Sequence, residues 1–437
     1  MTMGSRPFTI TNVPRLVRRF GHVARAIEEK PPVQGTGPHF YMNKILDQFV
    51  QQKTTPITLR QLVFYERHKN EDRVLKSANY VRTELPIRLS HRIREFQKLP
   101  FIVGTNPHIQ HIYDLYWRAF ERFRKVRPIT TMQENDAFCA ILSESLEAHL
   151  VAIPRLALGI SECQQHMSSE RIDRFMNGTL RSRISRRVLA EQHLVLSEYV
   201  PHTAHQPSNG FSLSQERPNR RTTIFSSCSA HDTVNKCTAW VQAHARQIAS
   251  KNHTWVLPEV HINGNPKDTR FTYVADHIEY ILYQILSNSL RHVVSAHSPP
   301  YPPIQVTICS NPSDIFFRIS DQGGGMSNET HRHLWSYGRK PDLLDNFRHV
   351  AQLEAKMSEH DHMKAQLGIG LPMSRVYAEY WGGAINVVSM DGWGTDAYLR
   401  IPKLGTQNEN LYFEEQEQDD DAFHASSSVR QPRPFIY

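Results

Sequence analysis

The sequence predicts an α + α/β protein: a helical bundle over residues 40–197, a linker over 198–221, and an α/β sandwich over 222–404. Three observations predict it. From Phe40 to Ser197 apolar residues recur at helical spacing with few glycines, and the pattern breaks at Pro100, Pro107 and Pro128. From Glu198 to Arg221 the composition turns to Pro, Ser, Asn, His and Gly without apolar periodicity, as linkers do. Beyond it, helical stretches alternate with short β-rich runs, the pattern of helices layered on a mixed sheet.

The N-terminal 39 residues read as a leader. Arg6, Arg15, Arg18, Arg19 and Arg25 precede the first acidic residue, Glu28. Val13, Leu16, Val17, Phe20, Val23, Ala24 and Ile27 fall at i, i+3, i+4, i+7 spacing with the arginines mainly opposite. A basic, amphipathic, acid-poor start is the pattern of a mitochondrial transit peptide.

At 437 residues, a prior of roughly 150 residues per domain gives two or three units. The composition, 39% hydrophobic and 22% charged, is globular, and no apolar run approaches the roughly 20 residues of a membrane span. Much of the net charge of +8 comes from the first 27 residues, and the other basic residues are spread out without an aromatic-basic motif, so no nucleic-acid partner is expected. Cys139, Cys163, Cys228, Cys237 and Cys309 include no CxxC pair, which predicts reduced, mostly buried thiols.

The bundle reads as up-and-down helices. In the second domain, helices are expected at about Thr233–Ser250 and Tyr273–His297, and strands at Ile304–Cys309, Ile315–Ile319, Ala384–Ser389 and Ala397–Ile401. After Lys403 the pattern stops, and Glu409, Glu414, Glu415, Glu417, Asp419, Asp420 and Asp421 crowd a tail ending in Pro432 and Pro434, so 405–437 is expected to be disordered, or to order only with a partner. Within it Glu409 to Phe413 looks like part of a protease tag but runs on into Glu-Glu, and is read as native.

Four elements, in order, carry chemistry. On the helix from His277 to Arg291, Ile278, Ile281, Leu282 and Ile285 form an apolar face, and Gln284, Asn288 and Arg291 share another stripe. An Asn amide oxygen is a hard neutral ligand suited to Mg²⁺, which keeps several waters and bridges to nucleotide phosphates. Next, Arg318 to Met326 is a β-run ending in Asp321 and then Gly323, Gly324 and Gly325. The carboxylate can accept from an adenine amino group, and glycines permit close backbone approach. Third, Leu367 to Pro372 precedes a helix over Met373–Trp381, so its amides lie at a helix N-terminus, where phosphate is favoured. It is not a Walker loop, because the lysine and spacing are missing. Fourth, Asp391 to Asp396 is a tight turn between two β-runs that presents the Thr395 hydroxyl. Each alone is an ordinary surface feature; together they point to a nucleotide site.

This order resembles the Bergerat or GHKL ATP-binding fold of histidine kinases and type II topoisomerases. More narrowly, Leu371 to Tyr380, Gly392 to Asp396, Thr83 to Leu89, Leu99 to Pro107 and Ser182 to Leu189 look like the mitochondrial pyruvate dehydrogenase kinase and branched-chain α-ketoacid dehydrogenase kinase family, a likeness running from about Thr58 to Leu404. The resemblance implies ATP and Mg²⁺ as cofactors. By it, Asn288 ligates Mg²⁺, Asp321 recognises adenine, Gly323 and Gly325 shape the pocket, and Thr395 supports the adenine end. Leu367, Gly368, Ile369, Gly370 and Leu371 bound the phosphates, Arg291, Ser336 and Tyr337 complete the binding set, and Tyr337 to Gln366 is the ATP lid.

The family's substrate is a serine of an E1 subunit, reached while the kinase is docked through its bundle on the E2 lipoyl domain of an α-ketoacid dehydrogenase complex in the mitochondrial matrix. A homodimer through the ATP-domain sheet, or a heterodimer with a paralogue, is also implied. His149 matches a family histidine near the catalytic Glu. That Glu, four residues before the metal Asn, is here Gln284, and an amide cannot take a proton. Ser287 replaces a Lys, Gln366 the first glycine of the phosphate loop, and Val151 an acidic neighbour of the histidine. Two functions follow: a protein serine kinase that inhibits E1, or an ATP-binding pseudokinase acting as a regulatory or scaffold subunit. A GHKL ATPase of the chaperone or DNA-repair type is disfavoured, because the bundle precedes the ATP domain.

Overall fold

A computed structural model describes residues 43–67, 70–198, 225–248, 256–265, 269–338 and 368–411. The leader, almost all of the linker, Leu367, most of the lid stretch and the tail from 412 lie outside the described residues.

The first domain is helical: α1 (Asn43–Val50), α2 (Leu59–Arg67), α3 (Glu71–Gln97), the single turn α4 (Phe101–Gly104), α5 (Pro107–Phe123), α6 (Met132–Ala148), α7 (Ala152–Cys163) and α8 (Ser169–Glu198). Local chemistry sets the ends. Asn70 caps α3 by accepting from the Arg73 N–H. Asn106 caps α5, with Pro107 in its first turn. Thr131 and Glu134 form a reciprocal capping box on α6. The expected breaks at Pro100 and Pro107 are the starts of α4 and α5, and Pro128 lies between α5 and α6. α3 packs on α5 and α8, α6 on α8, and α5 on α7.

One helical run, Met132–His166, is apolar and long enough to pass a length-and-composition test for a membrane span. A 3₁₀ turn at His149–Val151 divides it, and Phe138, Leu142, Leu150, Leu156 and Ile160 from both halves lie in the bundle core.

The second domain runs β1 (Phe225–Ser229), α9 (Ala230–Ile248), β2 (Val260–Asn263), β3 (Arg270–Val274), α10 (Ala275–Ala296), β4 (Ile304–Ser310), β5 (Asp314–Asp321), the short α11 (Asn328–Arg332), α12 (Gly370–Tyr380), β6 (Ala384–Met390) and β7 (Gly394–Pro402). Five strands form one mixed sheet in the order β2-β4-β5-β7-β6, parallel only at β2–β4. β1 and β3 form a separate antiparallel ribbon, which the sequence patterning did not reveal. Strand alternation sends Val306, Ile308, Phe317, Ile319, Leu399 and Ile401 inward beneath α10 and α12, making the two-layer sandwich. The opposite face leaves Phe316, Val388, Met390 and Tyr398 exposed.

The buried apolar residues of both domains form one continuous cluster, with α8 packed on α12. The cysteines are free thiols as expected, Cys163, Cys228 and Cys237 buried and Cys309 exposed.

The tail starts later than its composition predicts. Residues 405–411 are ordered against the fold, and Glu409, one of the seven tail acids, is 4% exposed. The reason is a charge match that composition does not encode, because its carboxylate meets Arg88 of α3.

Candidate functional site

Helix α10 is the floor of the site. Its apolar face buries Ile278, Ile281, Leu282 and Ile285, while Gln284 and Asn288 are half-buried and Arg291 is exposed, as the stripe predicts. Arg291 donates to Asn288 Oδ1 at 3.2 Å, leaving that oxygen a second lone pair for a further partner.

Asp321 ends β5 as a buried carboxylate held by two donors. Ser289 of α10 donates to Oδ2 at 2.7 Å, and the Gly323 N–H donates to Oδ1 at 3.0 Å. A carboxylate offers roughly four lone-pair sites, so both oxygens keep one for an incoming amino group. Ser289 is a residue the sequence reading missed. Its signal was a hydroxyl within the apolar stripe, four residues after Ile285, where a buried polar atom needs a partner.

The glycines after Asp321 make their close approaches to protein. A Cβ at Gly323 would meet the His292 Cβ at 2.7 Å, so this glycine lets the loop lie on α10. Gly325, at φ 68°, occupies the left-handed region, and a Cβ there would run into the Met390 carbonyl. The loop is laced to the β6–β7 hairpin: the Gly324 N–H donates to Trp393 O (3.1 Å), and the Gly392 N–H to Gly324 O (2.8 Å). Across the sheet Asp321 is in register with Thr395, whose hydroxyl lies 3.1 Å from the Ser389 hydroxyl. Ser389 also accepts the Met326 N–H at 2.9 Å.

At the other end, α12 begins at Gly370 behind Ile369, and no side chain caps its first turn. Pro372 brings no donor there, so Gly370 and Leu371 supply the first-turn amides. A Cβ at Gly370 would overlap the Gln284 Oε1, which places the Gln284 amide against the start of α12. Along α10, Gln284 touches α12 and Ser289 touches Asp321. Five residues separate them, about 7–8 Å of axial rise. The floor thus joins a buried carboxylate acceptor to an uncapped helix N-terminus, with Asn288 between.

The remaining expected residues sit elsewhere. His149 lies in the turn between α6 and α7, its Nε2 3.4 Å from the Leu115 carbonyl and its ring edge-on to Tyr116. Burial, reinforced by the nearby Arg186 charge, lowers its pKa to about 3, so it stays neutral at ordinary pH. Among the described residues no hydrogen bond joins it to Gln284. Ser336 and Tyr337 engage the bundle. Asp173 of α8 accepts from the Ser336 hydroxyl (3.2 Å) and the Tyr337 N–H (2.7 Å), and the Tyr337 hydroxyl donates to Asn177 at 2.9 Å. Burial raises the Asp173 pKa. No local pattern around Ser336 and Tyr337 announces this tether.

The residues present fit a nucleotide: a buried acceptor with spare lone pairs, an uncapped helix N-terminus, and an amide oxygen between them. Among the described residues, no group of three His, Cys, Asp or Glu side chains is placed to hold a metal. A cation here would take most of its oxygens from phosphate and water, with Asn288 the protein ligand.

Comparison with known proteins matches residues 56–212 to the family described as mitochondrial branched-chain alpha-ketoacid dehydrogenase kinase, and residues 273–405 to the histidine kinase-, DNA gyrase B- and HSP90-like ATPase family. The chain is 27% identical to the Saccharomyces cerevisiae mitochondrial [pyruvate dehydrogenase (acetyl-transferring)] kinase 2, covering 85% of this chain and 87% of that protein. It is 28% identical to the Arabidopsis thaliana mitochondrial [pyruvate dehydrogenase (acetyl-transferring)] kinase, over 82% and 93%. It is 24% identical to isozyme 4 of Rattus norvegicus, over 83% and 84%. The two matches fall on the two domains in the order described, so the chain is similar over both to the mitochondrial pyruvate dehydrogenase kinases and branched-chain α-ketoacid dehydrogenase kinases, and its second domain has the GHKL ATPase fold.

Proposed function

We propose that this chain is an ATP-dependent protein serine kinase of the mitochondrial matrix that phosphorylates and inhibits the E1 subunit of an α-ketoacid dehydrogenase complex, with pyruvate dehydrogenase the first candidate. The observation that carries it is the pairing, on one helix, of the Ser289–Asp321 contact with the Gln284–Gly370 contact. In this reading Asp321 and Thr395 take the adenine, Asn288 takes Mg²⁺ with Arg291 orienting it, and the amides of Gly368 to Leu371 take the phosphates. Mg²⁺, when bound, neutralises charge developing on the transferred phosphoryl group. The 1–39 leader is the matrix address, and the bundle meets the lipoyl domain of E2. The exposed sheet residues Phe316, Val388, Met390 and Tyr398 suit a second copy of the chain or a paralogue.

The pseudokinase reading has its own observation. Gln284 offers an amide where a base would act, and its oxygen lies against Gly370. Phosphoryl transfer rests chiefly on positioning and electrostatics, so loss of a base, worth about 10²- to 10⁴-fold, slows transfer without abolishing it. Incubating the purified chain with labelled ATP, Mg²⁺ and E1/E2 separates the two. A serine kinase labels E1 above an Asn288→Ala control; labelling equal to that control leaves the pseudokinase.

A further inference from the structure

Residues 405–411, at and beyond the end of the ATPase match, thread between the two domains. The Arg60 N–H donates to Gly405 O at 2.9 Å, Asn408 bridges antiparallel to Thr58, the Glu409 N–H donates to Ile57 O at 2.9 Å, and the Asn410 N–H donates to Tyr380 O at 2.9 Å. The Glu409 carboxylate is saturated. Oε1 accepts from Arg88 Nη2 (2.6 Å) and the Ile57 N–H (3.1 Å), and Oε2 accepts from Arg88 Nη1 (3.0 Å) and the Tyr380 hydroxyl. Arg88 is held from its other side by Glu84, at 3.1 Å, whose second oxygen takes the Thr55 N–H. A buried, fork-to-fork charge pair with every lone pair engaged has one geometry, because any other leaves a buried charge short of partners.

Tyr380 is the last residue of α12, whose first residue is Gly370. The same end is tied to the bundle by Glu379, which accepts from Arg181 of α8 at 2.6 Å. Eleven helical residues make a rod of about 16 Å, so a tilt of roughly 4° at one end displaces the other by about 1 Å, enough to weaken a site that works by position.

We propose that residues 405–411 are an intramolecular strap and that Glu409 is a positioning residue of the nucleotide site. By joining Tyr380 to Arg88, it fixes the tilt of α12 and sets the Gly370 and Leu371 amides beside Gln284 and Asn288. This rests on the reading that phosphates lie at the start of α12.

The test uses the full chain with Glu409→Gln, which removes the charge but keeps the shape, and Tyr380→Phe, which keeps the Arg88–Glu409 pair and removes only its link to α12. Ile112→Val, which trims a buried bundle side chain, is the control for general destabilisation. Hydrogen exchange of amides 373–380 in the nucleotide-free chain and equilibrium ATP affinity are measured for each. Glu409→Gln is expected to raise exchange about tenfold and to weaken ATP binding about five- to tenfold. Tyr380→Phe shifts both in the same direction by less, and Ile112→Val shifts neither. Wild-type exchange and affinity in folded Glu409→Gln overturn the strap alone. Should that variant not fold, wild-type behaviour of Tyr380→Phe overturns it. A wild-type chain that binds no ATP overturns the nucleotide reading and this proposal with it.

Discussion

Ser289 and Asp321 join helix α10 to the end of β5 by a 2.7 Å hydrogen bond, so the helix that carries Asn288 and Gln284 also orients the buried carboxylate. The contact fixes the orientation of the Asp321 carboxylate, which in the proposed function is the acceptor that selects the base.

Replacing Ser289 by Ala removes one donor to Asp321. Leaving a buried acceptor short costs about 1–3 kcal/mol. The urea midpoint is expected to fall accordingly, and ATP affinity by about tenfold as the carboxylate loses its fixed orientation. Denaturation and nucleotide titration of the same preparation check both. Unchanged affinity would detach this hydroxyl from the site.

Gln284→Glu is expected to increase phosphate transfer to E1. A carboxylate there lies by the start of α12, whose dipole favours the anion. The gain is at least tenfold within the roughly 10²- to 10⁴-fold range of general bases, with ATP affinity nearly unchanged. Initial rates at saturating ATP measure it, and no gain would show that the amide does not limit the rate.

Stability is expected to fall below about pH 6.5. His193 is fully buried, its Nε2 2.9 Å from Asn135 Oδ1 and its Nδ1 3.1 Å from the Ser77 hydroxyl, a pattern met by the neutral ring. Burial lowers its pKa to about 4, and that of buried His277 to about 3. The unfolded imidazole titrates near 6.5, so between those values the unfolded chain binds more protons and folding weakens as pH falls. Each such group contributes a slope of up to about 1.4 kcal/mol per pH unit. Urea unfolding at pH 7, 6 and 5 tests the direction, and His193→Gln should flatten the profile by one group's share.

Periodic features were legible in the sequence. The helix expected at 273–297 is α10, and the four expected strands are β4 to β7, each within a few residues of its predicted bounds. Asp321, the glycine loop and the start of α12 were legible as elements of a candidate site because each combines a turn residue with a chemical group. Partners distant in sequence were not legible. Glu409 read as one acid in an acidic tail until Arg88, 321 residues away, gave it a partner. Ser336 and Tyr337 read as part of a nucleotide set, while their bonds to Asp173 and Asn177 of α8 arise only from domain packing. β1 and β3 were missed because a two-stranded ribbon against helices needs no long alternation.

The central claim, that a nucleotide is held between Asp321 and the start of α12, is tested most directly by calorimetric titration of the full chain with ATP and Mg²⁺, alongside Asp321→Asn. One ATP per chain for the wild type, with affinity at least tenfold weaker in a variant whose circular dichroism is unchanged, is the expected result. Equal binding by the two chains, or no binding by the wild type, would contradict it.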